Sequence, residues 1–164
     1  MKVVNSTPNE LKDNLDIAIQ KAVADYMADY KLNNILFSRR RVLTMDRVIN
    51  LLLSMQGGSL KKELYDAGIE VTASAFVQQR DKIPWTVFEE VFEHFNSLCK
   101  DTKTYRGYRV LAIDGTTVNM ARNPKSSSFV KNDSTLKGYN QLHVNPLYNV
   151  LNKTYQHCVI QPQP

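Results

Sequence analysis

The hydrophobic pattern of this chain changes period near residue 100. Before that point, apolar residues recur at three- and four-residue steps, which lays a stripe along a helix. After it they alternate with polar residues or run in short blocks, as strands do. Residues 10–31 carry the longest helical stripe: Leu11, Leu15, Ile19, Ala22, Tyr26 and Tyr30, widened by Val23 and Met27. Pro8 and Asn9 precede it and suit a helix start. A second helix is expected over 44–55, with Thr44 as N-cap and Asp46 complementing the helix dipole. Val48, Ile49, Leu51, Leu52, Leu53 and Met55 make it apolar nearly all round, so it is the expected central core helix. Gly57-Gly58 ends it. A third helix over 59–66, capped by Ser59, leads through a turn at Ala67-Gly68-Ile69 into a fourth over 73–82, which starts near Thr72 or Ser74. A fifth starts at Ile83-Pro84 and buries Phe88, Val91, Phe92, Phe95 and Leu98. His94 falls opposite Val91 and Phe92 and is expected to be exposed.

From residue 100 the reading becomes extended. Residues 100–107 form a basic polar linker, and 109–113 a first strand. Both faces of that strand are apolar, which predicts a central strand covered on both sides. Residues 121–138 are loop-rich and basic. Two further strands over 141–150 and 154–161 join around Leu151-Asn152-Lys153, with His143 as a half-buried strand residue. The predicted fold class is α+β: an all-helical domain over 1–99, then the first three strands of an incomplete α/β domain over 100–164. Three strands do not by themselves cover a sheet's apolar face.

Charge adds a direction. Residues 1–99 hold 12 Lys and Arg against 13 Asp and Glu, whereas residues 100–164 hold 9 against 3. The excess positive charge therefore lies around and after the first strand, which suits a polyanionic partner. A solvated basic loop has the same composition. No segment approaches the ~18 apolar residues that span a membrane. The N-terminus lacks the apolar stretch of a signal peptide, so a cytoplasmic location is expected. Cys99 and Cys158 lack metal-binding spacing and read as reduced, partly buried thiols.

Three features carry candidate chemistry. Asp114 ends the apolar strand and is followed by Gly115, Thr116 and Thr117. A hard carboxylate oxygen there suits Mg²⁺, and two such ions drive phosphodiester chemistry. An Asx turn made with its own backbone fits the same spacing. After Asp114 the only acidic residue is Asp133, and no Glu follows Glu93. Arg39, Arg40 and Arg41 cannot all face a core and suit phosphate contacts. Finally, the helix, Gly turn and helix over 59–82 have helix-turn-helix grammar. Ser74, Gln78, Gln79, Arg80 and Lys82 include types that bond base edges or phosphates. A small helical bundle would show the same pattern.

Four phrases in order, LTMDRVINLLLSMQGGSLKKEL, TASAFVQQRDKI, YRVLAIDGTTVNMARNP and KGYNQLHVNPLYNVLNKTYQHCVIQP, resemble the transposases of bacterial insertion sequences. The chain is similar to the insertion-sequence-four type from about residue 35 onward. The resemblance implies an N-terminal helical domain that binds the element's terminal inverted repeats. It also implies an RNase H-like catalytic domain with three acidic residues on Mg²⁺ or Mn²⁺. AIDGTT places the first acid at Asp114, and QLHVNPLYNV and TYQHCVIQP match the second and third strands. The second Asp and the Glu would fall past Pro164. The expectation is therefore the front part of a DNA-cutting and DNA-joining enzyme, inactive alone, nucleoid-associated, with DNA and a homodimer as partners. A stand-alone DNA-binding regulator or inhibitor of transposition, or a decayed gene product, are the alternatives.

Overall fold

The computed structural model describes residues 7–30, 42–99, 103–132 and 136–162. Arg39, Arg40, Arg41 and Asp133 lie outside them. The chain divides into two compact units, one within residues 5–100 and one within 101–164. Among the described residues they form a mixed α+β protein with five helices and an antiparallel five-stranded sheet.

The helical unit holds α1 (Pro8–Tyr30), α2 (Met45–Ser54), α3 (Leu60–Asp66), α4 (Ala73–Arg80) and α5 (Thr86–Leu98). Helix α1 starts two residues earlier than its stripe suggests. Pro8 lies inside the helix, where its fixed φ and missing N–H do no harm. Thr7 and Glu10 close a capping box: the Thr7 N–H donates to Glu10 Oε2 at 2.6 Å, and the Glu10 N–H to Thr7 Oγ1 at 3.2 Å. Helix α2 is central, as its all-round apolar sequence requires. Met45 and Ile49 pack with Ala18, Ile19 and Ala22 of α1 and Val87 and Val91 of α5. Val48 and Leu51 enter a second cluster with Leu43, Leu64 and Phe76. Thr44 is the N-cap of α2, yet its side chain makes no cap bond. His94 departs from expectation. It is half-buried, and its Nε2 lies 2.9 Å from Asp25 Oδ2, joining α5 to α1. A residue opposite one apolar pair still meets a neighbour when a 23-residue helix packs alongside.

The sheet unit holds β1 (Leu111–Ile113), β2 (Thr116–Met120), β3 (Phe129–Val130), β4 (Tyr139–Asn149) and β5 (Thr154–Pro162). Every strand pairs with β4, and all pairs are antiparallel. The β4 residues opposite β1 and much of β2 also pair with β5, so β1 and β2 share one edge and β5 takes the other. Strands β1 and β2 keep a single register: Ile113 lies opposite Leu147 and Thr116 opposite Val144. Asp114 and Gly115 thus fall opposite Pro146 and Asn145. The Val150 N–H donates to the Val110 carbonyl at 3.0 Å in the same register. Ladder bonds alternate along an antiparallel pair, so Tyr148, Pro146 and Val144 are the residues that address this edge. Pro146 has no N–H to give. The ladder therefore lacks its donor at Asp114, where the strand is interrupted.

Two expectations change here. Residues 109–113 were expected to form a central strand covered on both faces. Instead β1 lies on an edge, with Leu111 41% and Ile113 72% exposed. An apolar run permits double cover but does not specify it. Residues 116–120 form a strand where only hydroxyls beside Asp114 were anticipated, because the ladder resumes after the proline.

Buried amides fasten the loops. Asn140 is 1% exposed. Its Oδ1 accepts from the Asn123 N–H at 2.6 Å, and its Nδ2 donates to the Asn123 carbonyl and to Ser128 Oγ at 3.0 and 2.9 Å. Asn149 Oδ1 accepts from Asn152 N–H and Nδ2 in the β4–β5 turn. At Gly138 (φ +64°) an added Cβ would lie 2.8 Å from Phe129 Cε2 and 2.9 Å from the Val130 carbonyl oxygen.

Two measurements check this unit. Gly107 also has positive φ but open space around it, so Gly107→Ala should cost only the left-handed penalty, about 1–2 kcal/mol. Gly138→Ala adds overpacking of a further ~1–3 kcal/mol, and urea denaturation should rank the two in that order. Pro146→Ala should let β1 and β2 join. Its new amide should then be protected from hydrogen exchange; rapid exchange there would contradict the ladder argument.

Candidate nucleic-acid interface and the Asp114 carboxylate

The connection from α3 to α4 is closed by backbone bonds. The Gly68 N–H (φ +64°) donates to the Tyr65 carbonyl at 3.0 Å, and the Ile69 N–H to the Leu64 carbonyl at 2.9 Å. A left-handed glycine after the last helical turn is the usual way to satisfy those carbonyls. Leu64 and Phe76 then pack α3 and α4 into one cluster. Thr72 Oγ1 caps α4 by accepting from the Ala75 N–H at 3.1 Å. Ahead of α3, a buried acid organises the turn from α2. Glu63 is 8% exposed, and its Oε1 accepts from the Gln56 and Gly58 N–H groups at 3.1 and 2.7 Å. Gly58 leaves room for it; a Cβ there would lie 3.0 Å from Oε1.

This frame sorts the residues proposed to read nucleic acid. Ser74, Gln78 and Arg80 are exposed on α4, and Ser74 and Gln78 share a face at a four-residue step. Arg80 Nε and Nη2 reach Asp81 Oδ1 at 3.2 and 2.9 Å. This pair is exposed and is worth little, so the guanidinium stays available to a phosphate. Gln79 does not belong to the set. It is 8% exposed and accepts from Lys82 Nζ at 3.3 Å. Position 79 lies three residues after Phe76 and shares its inward stripe, which residue type alone does not reveal. Lys82 is half-buried. On α3, the hydrogen bond to Asp66, with its charge, raises the Lys62 pKa above its ordinary value.

Asp114 is exposed, and its Oδ1 accepts from the N–H of Gly115 at 2.8 Å. This bond reaches the adjacent residue and not the one two positions on that closes an Asx turn, and it uses one oxygen. Gly115 is needed for a different reason. A Cβ there would lie 3.0 Å from His143 Cε1 and Nε2 and 3.1 Å from Asn145 Oδ1. His143 and Asn145 therefore border the Gly115 backbone, next in sequence to the carboxylate, a proximity readable only once the β2–β4 register is known. Asp114 is the one carboxylate among the described residues of the sheet unit. No group of three His, Cys, Asp or Glu able to hold a metal occurs among the described residues. The residues present therefore fit one ligand to a hard cation that keeps most of its waters. They do not make a two-ion centre.

The chain matches no family model, no curated protein and no solved structure. Among the described residues no helix is long and apolar enough to cross a membrane.

Two stability measurements separate frame from chemistry. Glu63→Ala strands two backbone N–H groups and should cost about 2–4 kcal/mol, whereas Glu63→Gln keeps an acceptor and should cost about 1 kcal/mol. Asp114→Asn, at an exposed position, should change stability by no more than about 0.5 kcal/mol. A large loss there would make the aspartate structural.

Proposed function

We propose that this chain acts in DNA transposition, as part of a transposase of the insertion-sequence-four type. The helical unit binds the element's terminal inverted repeats, and the sheet unit supplies Asp114 as one ligand for Mg²⁺ or Mn²⁺. The observation that carries this reading is the position of Asp114. It is an exposed carboxylate at a break in the first stretch of an antiparallel sheet, and the next two long strands follow in the order the resemblance implies. The metal would supply Lewis acidity at a scissile phosphate. The chain's own contribution is to hold one carboxylate in the open on a paired strand. Ser74, Gln78 and Arg80 of α4 contact DNA, Arg80 at a phosphate. Arg39, Arg40 and Arg41 add phosphate contacts. The homodimer and the nucleoid-associated location belong to the same proposal.

With a single carboxylate among the described residues of the sheet unit, this chain alone should neither cut nor join DNA in Mg²⁺ or Mn²⁺. A second reading, a stand-alone DNA-binding regulator, draws on the helical unit's own two core clusters. Both readings require duplex binding that weakens with salt, at about 0.9 units of log K per log salt for each phosphate neutralised. Fluorescence anisotropy on duplexes carrying the element's ends tests this. Arg80→Gln should lower the salt slope by about 1, and Gln78→Ala should relax sequence preference by about 1–3 kcal/mol at one position. Absence of duplex binding at low salt would contradict both readings. Metal-dependent cleavage by the chain alone would contradict the single-carboxylate account.

A further inference from the structure

We propose that the hairpin at Tyr105–Tyr108 is a base-stacking tip for unpaired nucleic acid. Tyr105 and Tyr108 face each other through two reciprocal backbone hydrogen bonds, each 2.9 Å. Between them Arg106 (φ 50°) and Gly107 (φ 84°) both occupy left-handed backbone. Two such residues in a two-residue loop mark a tight type I′ turn. Directly opposed residues project to the same side of a ribbon, so the turn presents both phenol rings on one face. Tyr105 is 59% and Tyr108 76% exposed. Aromatic side chains ordinarily contribute by burial. Two held in solvent on a stiff turn are placed for a flat partner.

The charges name the class of that partner. The first turn position favours Asn, Asp or Gly, yet Arg stands there. Its guanidinium lies 5.4 Å from the centroid of the Tyr105 ring, within cation–π range. Lys103 and Arg109 flank the turn, and residues 103–113 contain no acid. Positive groups beside exposed aromatic faces are the pattern of single-strand sites, where phosphates are tracked and bases stacked irrespective of sequence. A base inside a duplex already has both faces covered. The tip therefore suits a base outside its stack, at a single-stranded end or a flipped position. This inference goes beyond the proposed duplex contact on α4 and rests on nucleic acid being the partner class.

The test uses the full chain and two fluorescein-labelled probes, a single strand of about 15 nucleotides and a fully paired duplex, by anisotropy at low salt. Tyr105→Ala with Tyr108→Ala should weaken single-strand binding about 10- to 100-fold and change duplex binding less than about twofold. Tyr105→Phe with Tyr108→Phe keeps both rings and should restore single-strand binding. Unchanged single-strand binding in the alanine variant overturns the proposal, as does an equal loss on both probes. Duplex binding without any single-strand binding by the unaltered chain removes the stacking tip and leaves the proposed function standing. Binding of neither probe removes both. Loss of a concentration-dependent dimer in the alanine variant, with oligonucleotide binding intact, overturns the proposal and assigns the tip to a protein contact.

Discussion

A proline in the middle strand of a sheet governs the geometry around Asp114. Every strand of the sheet unit pairs with β4, so any defect in β4 is felt across the sheet. Pro146 turns its missing N–H toward the β1–β2 edge, and the ladder lacks one donor there. The register on either side is unchanged, so the fault stays local: two residues, Asp114 and Gly115, leave the strand. Gly115 admits the His143 ring against its backbone, and Asp114 exposes a carboxylate. An aspartate inside an unbroken ladder would be held by pairing on both sides. Here a single backbone substitution on a neighbouring strand frees it without unravelling the edge.

The helical unit solves a different problem, that of orienting two short helices. Helix α3 has seven residues and α4 eight, too few to be stable by themselves. Their directions come from α2, which faces both core clusters, and from the turns at each end of α3. Glu63 is the polar counterpart of that packing. Its buried carboxylate satisfies two turn N–H groups, and the loss of either partner would leave a buried polar group without a mate. The same frame decides which face of α4 is open. Phe76 and Gln79 turn inward, and Ser74 and Gln78 outward.

Much of this was legible in the sequence, for identifiable reasons. The five helices were marked by periodic stripes and by Ser59, Thr72 and Gly68, whose roles depend on local backbone alone. Strands β4 and β5 were marked by alternation and by the Leu151-Asn152-Lys153 turn. What escaped needed a partner strand or helix to become visible. The exposure of the VLAI strand depends on what lies over it, not on its own composition. The continuation of pairing through Thr116–Met120 depends on its partner strand β4, which its own residues do not specify. The burial of Gln79, the Asp25–His94 contact and the approach of His143 to Gly115 each arise between elements. The Tyr105–Tyr108 turn was hidden in a stretch read as a polar linker, because Arg is an unusual residue for its first position. The role of Asp114 stayed open between turn and ligand; in the structure one oxygen bonds the adjacent N–H without closing an Asx turn, and the carboxylate is exposed.

The central claim is that Asp114 is a cation ligand held open by the sheet. Paramagnetic broadening by Mn²⁺ in amide NMR spectra of the chain tests it most directly, since such broadening detects weak, water-rich coordination. The account predicts broadening centred on the amides of residues 113–116 and abolished by Asp114→Asn with the rest of the spectrum unchanged. Broadening that is absent there, or that persists in the asparagine variant, would contradict it and leave Asp114 with its local bond to the Gly115 N–H alone.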